Sequence, residues 1–333
     1  MNELDVASRE LIVMGGRQKR VETRPSKEWS RFGQAVVLGL KPDGSSAEEL
    51  FVWETPPEAR PDEGASVVFK SGSRVDSKLY LCTQTEVLVL DETTLAVEQN
   101  ISLPCFNDLH HVTPTDRNTL LVVSTGLDLV VELTMDGDIV REWSTTDSST
   151  WDRFDREVDY RKVLTTKPHH SHPNHVFEHG GEIWVTRFEQ RDLYCLTNPD
   201  RRILIDTERP HDGYLVGDDA WVTTVDGHLL RLNLQDDSVG EELDVIEIAD
   251  SDQAVGWMRG CSIVGSTAYI GFSTLRVTKI RENIRWVKKR FGQIDADSLV
   301  PTHVAAFDLE ARQPLWRHNF SDPSLDVIFS VLA

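Results

Sequence analysis

The sequence predicts an all-β chain folded as a six-bladed β-propeller, and three observations carry that prediction. From Ala35 onward the chain is a series of short runs rich in Val, Leu, Trp, Tyr and Thr. They are divided by Asp-Gly, Gly-Ser and Asn- or Asp-containing turns, the texture of many short antiparallel strands. The runs recur as a unit. Residues 175–186 followed by 192–196 match residues 212–223 followed by 228–232: each is a strand, a tight turn, an aromatic strand ending in Trp-Val-Thr, then a third strand. Strand-like segments without a repeat of their own lie at both ends, 35–40 and 50–54 against 326–332. A ring closed by strands from both termini would use them and leave no open edge.

Taken in order, residues 1–32 are polar, with basic clusters at Arg17, Lys19 and Arg20 and at Arg24, Lys27 and Arg31, and are expected to form an N-terminal arm. Residues 33–333 are expected to form one propeller domain. A degenerate repeat covers 66–90 and a clearer one 111–143; those at 175–196, 212–232 and 260–271 follow, and the terminal strands make the sixth. Six is the count, with five and seven as its neighbours. Two inserts interrupt the repeat. The first, 145–171, leads into Lys167-Pro-His-His-Ser-His-Pro-Asn-His-Val176, which places four of the chain's eleven histidines within seven residues. The second, 276–292, carries Ile280, Ile284, Val287 and Phe291 at helical spacing and a strongly basic opposite face. It is expected to be an amphipathic helix that packs on the propeller, covers its mouth, or meets an anionic partner along 279–290.

The totals narrow the function classes. A formal charge of −20 over 333 residues argues against a nucleic-acid partner and is explained by a solvated acidic surface. No basic region followed by an apolar core opens the chain, and no apolar run is long enough to span a bilayer. Cys82, Cys105, Cys195 and Cys261 are scattered without a Cys-x-x-Cys pair, so reduced core thiols and a cytoplasmic location are expected. Gly-rich phosphate loops, Gly-x-Ser-x-Gly, His-Glu-x-x-His and EF-hand patterns are all missing.

The first strand of each propeller blade lines the central channel, so residues at its start converge from distant parts of the chain. Aligning the repeats places His111, His175, Asp212 and Gly260 at one position and His110, Asn174, His211 and Arg259 one residue earlier. Neutral imidazole binds transition metals and carboxylates orient it. The expected metal set is therefore His111, His172, His175 and His211, holding zinc or iron ahead of calcium. Asp212, Arg259 and His110 are the expected catalytic residues: Asp212 or a histidine handles a proton, and Arg259 clamps an anionic group of a small-molecule substrate. Each has a structural alternative, since histidines before a strand also cap turns and an arginine also pairs with a carboxylate. His169 and His170 belong to the insert and are expected to shape or cover the mouth. His179, His228, His303 and His318 fall in turns or outer strands and are expected to be structural.

The chain resembles the broad group of six-bladed propellers that includes the NHL, gluconolactonase-like and arylsulfotransferase-like proteins. Asp108-Leu-His-His-Val112 followed by residues 118–123 and 131–143 is most similar to arylsulfotransferase blades, in which a histidine-led inner strand precedes an acidic turn and a Trp. That resemblance implies a histidine-based transferase. The chain departs from it in size and in lacking an export signal, and it departs from gluconolactonase-like proteins in offering imidazoles where their metal is held by carboxylate and amide groups. Three functions are thus in competition. One is a metal-dependent hydrolase, lyase or oxygenase. The second is a metal-independent transferase using His111 or His175. The third is a non-catalytic propeller that binds a ligand or protein through the basic insert.

Overall fold

The computed structural model describes residues 10–19, 30–235, 242–248, 257–274, 300–320 and 324–333. Six four-stranded antiparallel sheets form the ring. Blade 2 holds Gly72–Val75, Lys78–Cys82, Val87–Asp91 and Val97–Ile101; blade 3 holds Leu109–Pro114, Thr119–Ser124, Leu129–Thr134 and Ile139–Ser144. Blade 4 holds Pro173–His179, Glu182–Arg187, Asp192–Cys195 and Arg202–Leu204, and blade 5 holds Tyr214–Val216, Asp219–Thr223, His228–Asn233 and Glu242–Glu247. Blade 6 holds Met258–Val264, Thr267–Phe272, His303–Asp308 and Gln313–Asn319.

Blade 1 joins the chain ends: the order is Val327–Leu332 innermost, then Leu11–Gln18, Phe32–Leu40 and Ala47–Trp53. Closure by both termini agrees with the sequence, but the boundary of the expected arm does not. Leu11–Gln18 is a strand whose Leu11, Ile12, Val13 and Met14 are buried, paired on one side with residues 327–332 and on the other with 32–40. Gly15 permits this pairing, because a Cβ there would lie 1.7 Å from the Val327 carbonyl oxygen.

The core is a set of wedges between blades. Tyr80, Val87 and Val89 of blade 2 pack on Leu109, Leu120 and Val122 of blade 3, and Trp184, Leu193 and Cys195 of blade 4 pack on Ala220, Val222 and Leu230 of blade 5. Inner strands are buried on both faces, which is why residues 327–332 read as the nearly unbroken apolar run Val-Ile-Phe-Ser-Val-Leu. Outer strands such as Gln313–Asn319 are mostly exposed and polar. All four cysteines are buried free thiols, and burial pushes Cys82 and Cys105 up to about 12.

Among the described residues the helical pieces are three-residue 3-10 turns, as at Thr150–Asp152 and Tyr160–Lys162, and none is long and apolar enough to cross a membrane. The amphipathic helix expected over 276–292 lies outside the described residues. The other insert is well tied down. Tyr160 packs edge-on against Phe154, and the Asn107 amide donates to the carbonyls of Tyr160 and Val163 at 2.8 Å each.

Candidate functional site

The geometry of the mouth comes from one repeated irregularity. The register of the inner strand slips by one residue between Leu109 and His111, between Pro173 and His175, and between Arg259 and Cys261. His110, Asn174 and Gly260 are the extra residues, and such a bulge re-aims the side chains around it. The alignment from sequence is therefore one residue out in blade 6, where Gly260 and not Arg259 occupies the bulge. Glycine is required there: φ is +77° and a Cβ would lie 2.5 Å from Ser330 Cα. Arg259 instead precedes its bulge and sits beside residues of the loops that enter blades 3 and 4.

One consequence is that adjacent residues face different cavities. A cavity of about 400 Å³ at the mouth is lined by Lys70, Asp108, His110, Lys167, His169, His172, Phe188, Glu189, Trp257 and Arg259, among others. A second, of about 410 Å³, lies beyond it and is lined by His111, His175, Asp212 and Tyr214. The expected metal set is thereby split. His111 and His175 stack with ring centroids 3.6 Å apart, and His111 is hydrogen-bonded by the backbone of Gly72 and Val176, so it braces the inner strands of blades 2 and 4. His172 lies at the mouth instead, its ring 5.1 Å from that of His110, and the ring of His211 lies 6.1 Å from that of His110. Among the described residues no three His, Cys, Asp or Glu side chains are placed to hold a metal ion.

The imidazoles at the mouth are held in fixed orientations. His110 Nδ1 is 2.8 Å from the Asp108 carbonyl oxygen. His169 and His172 share an Nδ1–Nδ1 contact of 2.9 Å, and His169 Nε2 is 3.4 Å from Thr166 Oγ1. His211 Nδ1 is 3.0 Å from Asp212 Oδ1, while Thr223 Oγ1 and the Gly260 amide donate to Asp212 Oδ2. Burial pushes His110 and His172 well below the ordinary imidazole range, and it lowers His169 and His211 in the same direction. That direction favours the neutral form in all four. Burial acts to raise Asp108 and Asp212, but it is outweighed at Asp108 chiefly by the Lys70 ammonium and at Asp212 by His211, so both carboxyls lie below their ordinary values.

Three features were not picked out from the sequence. Lys70 is 2% exposed, with Nζ 3.2 Å from Asp108 Oδ1 and 4.3 Å from the centre of the Phe329 ring. The guanidinium of Arg259 lies 4.4 Å from the ring centres of both Phe329 and Trp257, so one phenyl ring lies against two buried cations. The third is Asp128, whose carboxylate accepts from the amides of His170, Ser171 and His172 and from the Ser171 hydroxyl. A lysine inside the apolar run Ser66-Val-Val-Phe-Lys70 was the visible signal for the first; nothing local marks the other two. Asp108 and His172, the residues just before the strands of blades 3 and 4, both take positive φ, +49° and +51°. Such backbone values in non-glycine residues concentrate at functional sites.

No family model matches the chain, and no curated protein does. Solved structures do match. A protein of unknown function from Bacteroides caccae superposes with a TM-score of 0.59 at 11% identity over 98% of each chain, and a chain of a nidogen/laminin complex with 0.57 at 10% over 97% of each. A streptogramin B lyase structure matches at a TM-score of 0.47 with 11% identity, covering 97% of this chain and 91% of that one. What the first two share with this chain is the propeller fold. At such identities the fold says nothing about chemistry, which has to come from the site itself.

The four histidines expected to be structural, and two charged residues at and just after the end of the second strand of blade 4, are placed as follows. Arg187 forms a two-pronged pair with the fully buried Asp192, at 2.8 and 2.6 Å, and also donates to the Thr145 carbonyl at 3.0 Å, at the start of the insert that follows blade 3. Glu189 lines the mouth. His228 is bonded to Asp226 and His303 to the Pro301 carbonyl, two residues away in each case, whereas His179 lies 3.4 Å from Asp218 of blade 5 and His318 is bonded to the Gly44 carbonyl of blade 1, contacts between neighbouring blades.

Proposed function

We propose that this chain is an enzyme acting on a small anionic molecule at the channel mouth, with His110 and His172 moving protons and Lys70 and Arg259 holding the anionic group. The observation that carries this reading is the composition of one cavity: one buried and one half-buried imidazole, both favouring the neutral form, and two buried cations around about 400 Å³. In a chain of formal charge −20, the described lining carries three cations (Lys70, Lys167, Arg259) against two carboxylates (Asp108, Glu189). An anion is drawn to that local excess, and a neutral imidazole beside it takes a proton from the group the cations polarise. Proton abstraction next to a held anionic group is the reaction class this supports.

A metal-dependent version, with zinc or iron, ranks below it, because the donors do not converge in threes among the described residues. Both versions are separated by the same experiment. Calorimetric titration with phosphate and a panel of small carboxylates, in chelator at pH 7.5, is expected to find at least one ligand. Lys70→Met and Arg259→Met should each weaken it at least about tenfold, the equivalent of one lost charged hydrogen bond. Deuterium uptake from solvent into the bound acid, followed by NMR, should disappear in His110→Asn and His172→Asn while binding persists. Binding that survives both cation replacements, or deuterium uptake that stops in chelator, would sink this reading.

A further inference from the structure

The hydrogen bonds around the mouth decide which nitrogen of each imidazole carries its proton, and the answer is the same for three of them. A carbonyl oxygen only accepts, so the Nδ1 of His110 must be N–H to reach the Asp108 carbonyl, which leaves Nε2 as a bare lone pair. His211 faces an Asp212 carboxylate that already accepts from Thr223 and from the Gly260 amide. Its Nδ1 is therefore the donor and its Nε2 is bare as well. At His172 the chain of logic has three links. The hydroxyl proton of Thr166 is committed to the Gly126 carbonyl, so Thr166 Oγ1 can only accept from His169 Nε2–H. Neutral His169 then has a bare Nδ1, which accepts from His172 Nδ1–H, and His172 is left with a bare Nε2. His111 has the opposite form, since its Nδ1 accepts from the Val176 amide at 3.4 Å.

The Nε2 atoms of His110, His172 and His211 take no protein partner among the described residues, and His110 and His172 line the mouth cavity. The cavity is thus two-sided: Lys70 and Arg259 supply only donors, and His110 and His172 present only acceptors. We infer that the mouth selects a small anion that carries its own O–H or N–H group, such as a hydroxy acid, over the same acid without that group. This rests on the reading above that the cations hold an anion, and adds that the neighbouring group must donate a hydrogen bond. A ligand without the donor leaves a desolvated imidazole lone pair unmet, which is how a polar pocket rejects an analogue lacking a hydroxyl. Thr166 is a positioning residue in this scheme, since it sets the tautomer of His172 through His169 without itself lining the cavity.

Two measurements test it. Long-range proton–nitrogen correlation spectra of protein labelled with ¹⁵N-histidine, at pH 7.5, are expected to show Nδ1–H tautomers at His110, His172 and His211 and the Nε2–H form at His111. Conversion of His172 to the other tautomer in Thr166→Val, with His110 unchanged, would confirm the relay through His169. Titration with the pairs malate and succinate, and lactate and propionate, is expected to give at least about tenfold tighter binding for the hydroxylated member of a pair. That preference should be lost in His110→Phe and retained in Lys70→Met, where both members weaken together. Nε2–H at His110 or His172 overturns the inference whatever binds; equal binding of both members of each pair overturns the ligand class, even with the tautomers as stated. A failure of the cations to hold any anion appears separately, as no effect of Lys70→Met on a ligand that does bind, and belongs to the earlier reading.

Discussion

Replacing Asp128 by asparagine tests whether the histidine loop is held by one buried carboxylate. Asp128 is 3% exposed, and its Oδ1 accepts from the Ser171 amide, the Ser171 hydroxyl and the His172 amide, all at 2.9 Å. Its Oδ2 accepts from the His170 amide at 2.8 Å and from Arg153 at 3.1 Å. Asparagine tolerates the residue's φ of +51°, so the backbone is not the issue. The amide oxygen will settle at the Oδ1 position, where it keeps three donors satisfied, and the NH₂ group will then confront the His170 amide and a guanidinium. Two charge-assisted hydrogen bonds are lost, each worth about 1.5–3 kcal/mol when buried. Arg153 is partly exposed, so its share is discounted. The expected cost is about 2–4 kcal/mol, rising to roughly 3–5 kcal/mol for alanine, which also abandons the Oδ1 donors. Urea unfolding gives the free energy, and hydrogen exchange at the amides of His170, Ser171 and His172 reads the loop directly. A stability change under about 1 kcal/mol, with those amides as protected as before, would refute the assignment of Asp128 as the anchor.

The remaining predictions concern pH and the bulge. Burial holds His111 and His303 at about 4 in the folded chain, so each favours the neutral form, and the unfolded chain takes up protons first as pH falls. That stability is complete above about pH 6.5 and drains away toward pH 4, by up to about 3 kcal/mol for His111 alone. A urea midpoint that stays constant between pH 8 and pH 4.5 would contradict it. Gly260→Ala should cost more than about 3 kcal/mol or prevent folding, because a Cβ at φ +77° meets the Ser330 backbone at 2.5 Å. Gly217→Ala, with φ +60° and nothing within 4 Å, should cost only about 1 kcal/mol, and equal losses in thermal melts would show that close approach is not what matters.

The ring was legible because blade grammar is local: alternation and turn residues recur from unit to unit, Trp-Val-Thr strands mark two of them, and 35–40 pairs with a neighbour in the terminal blade as their leftover status implied. Leu11–Gln18 was not, because its four apolar residues end in Gly15-Gly16 and lie among basic residues, and the partner that buries them is more than 300 residues away. At the mouth, the repeat pointed to His110, His211 and Arg259, and the histidine tract to His172. It could not tell which of two adjacent residues faces which cavity, since a period-two strand gives opposite answers on the two sides of a bulge. Lys70 and Asp128 escaped because what defines them is a contact across blades or loops, with no pattern in the nearby sequence.

The bulge also explains how a narrow channel carries two chemically different chambers. In a regular strand adjacent side chains point to opposite faces, and only one of them reaches the axis. The extra residue turns His110 toward the mouth while His111 continues to the chamber beyond. His211 and Asp212 link the two levels differently: Asp212 lines the inner chamber yet orients His211, whose ring lies 6.1 Å from that of His110. Asp212 therefore acts on the mouth from behind, and Gly260 binds its other oxygen with the amide of the blade 6 bulge. A backbone irregularity in one blade thus holds the carboxylate that orients an imidazole supplied by another.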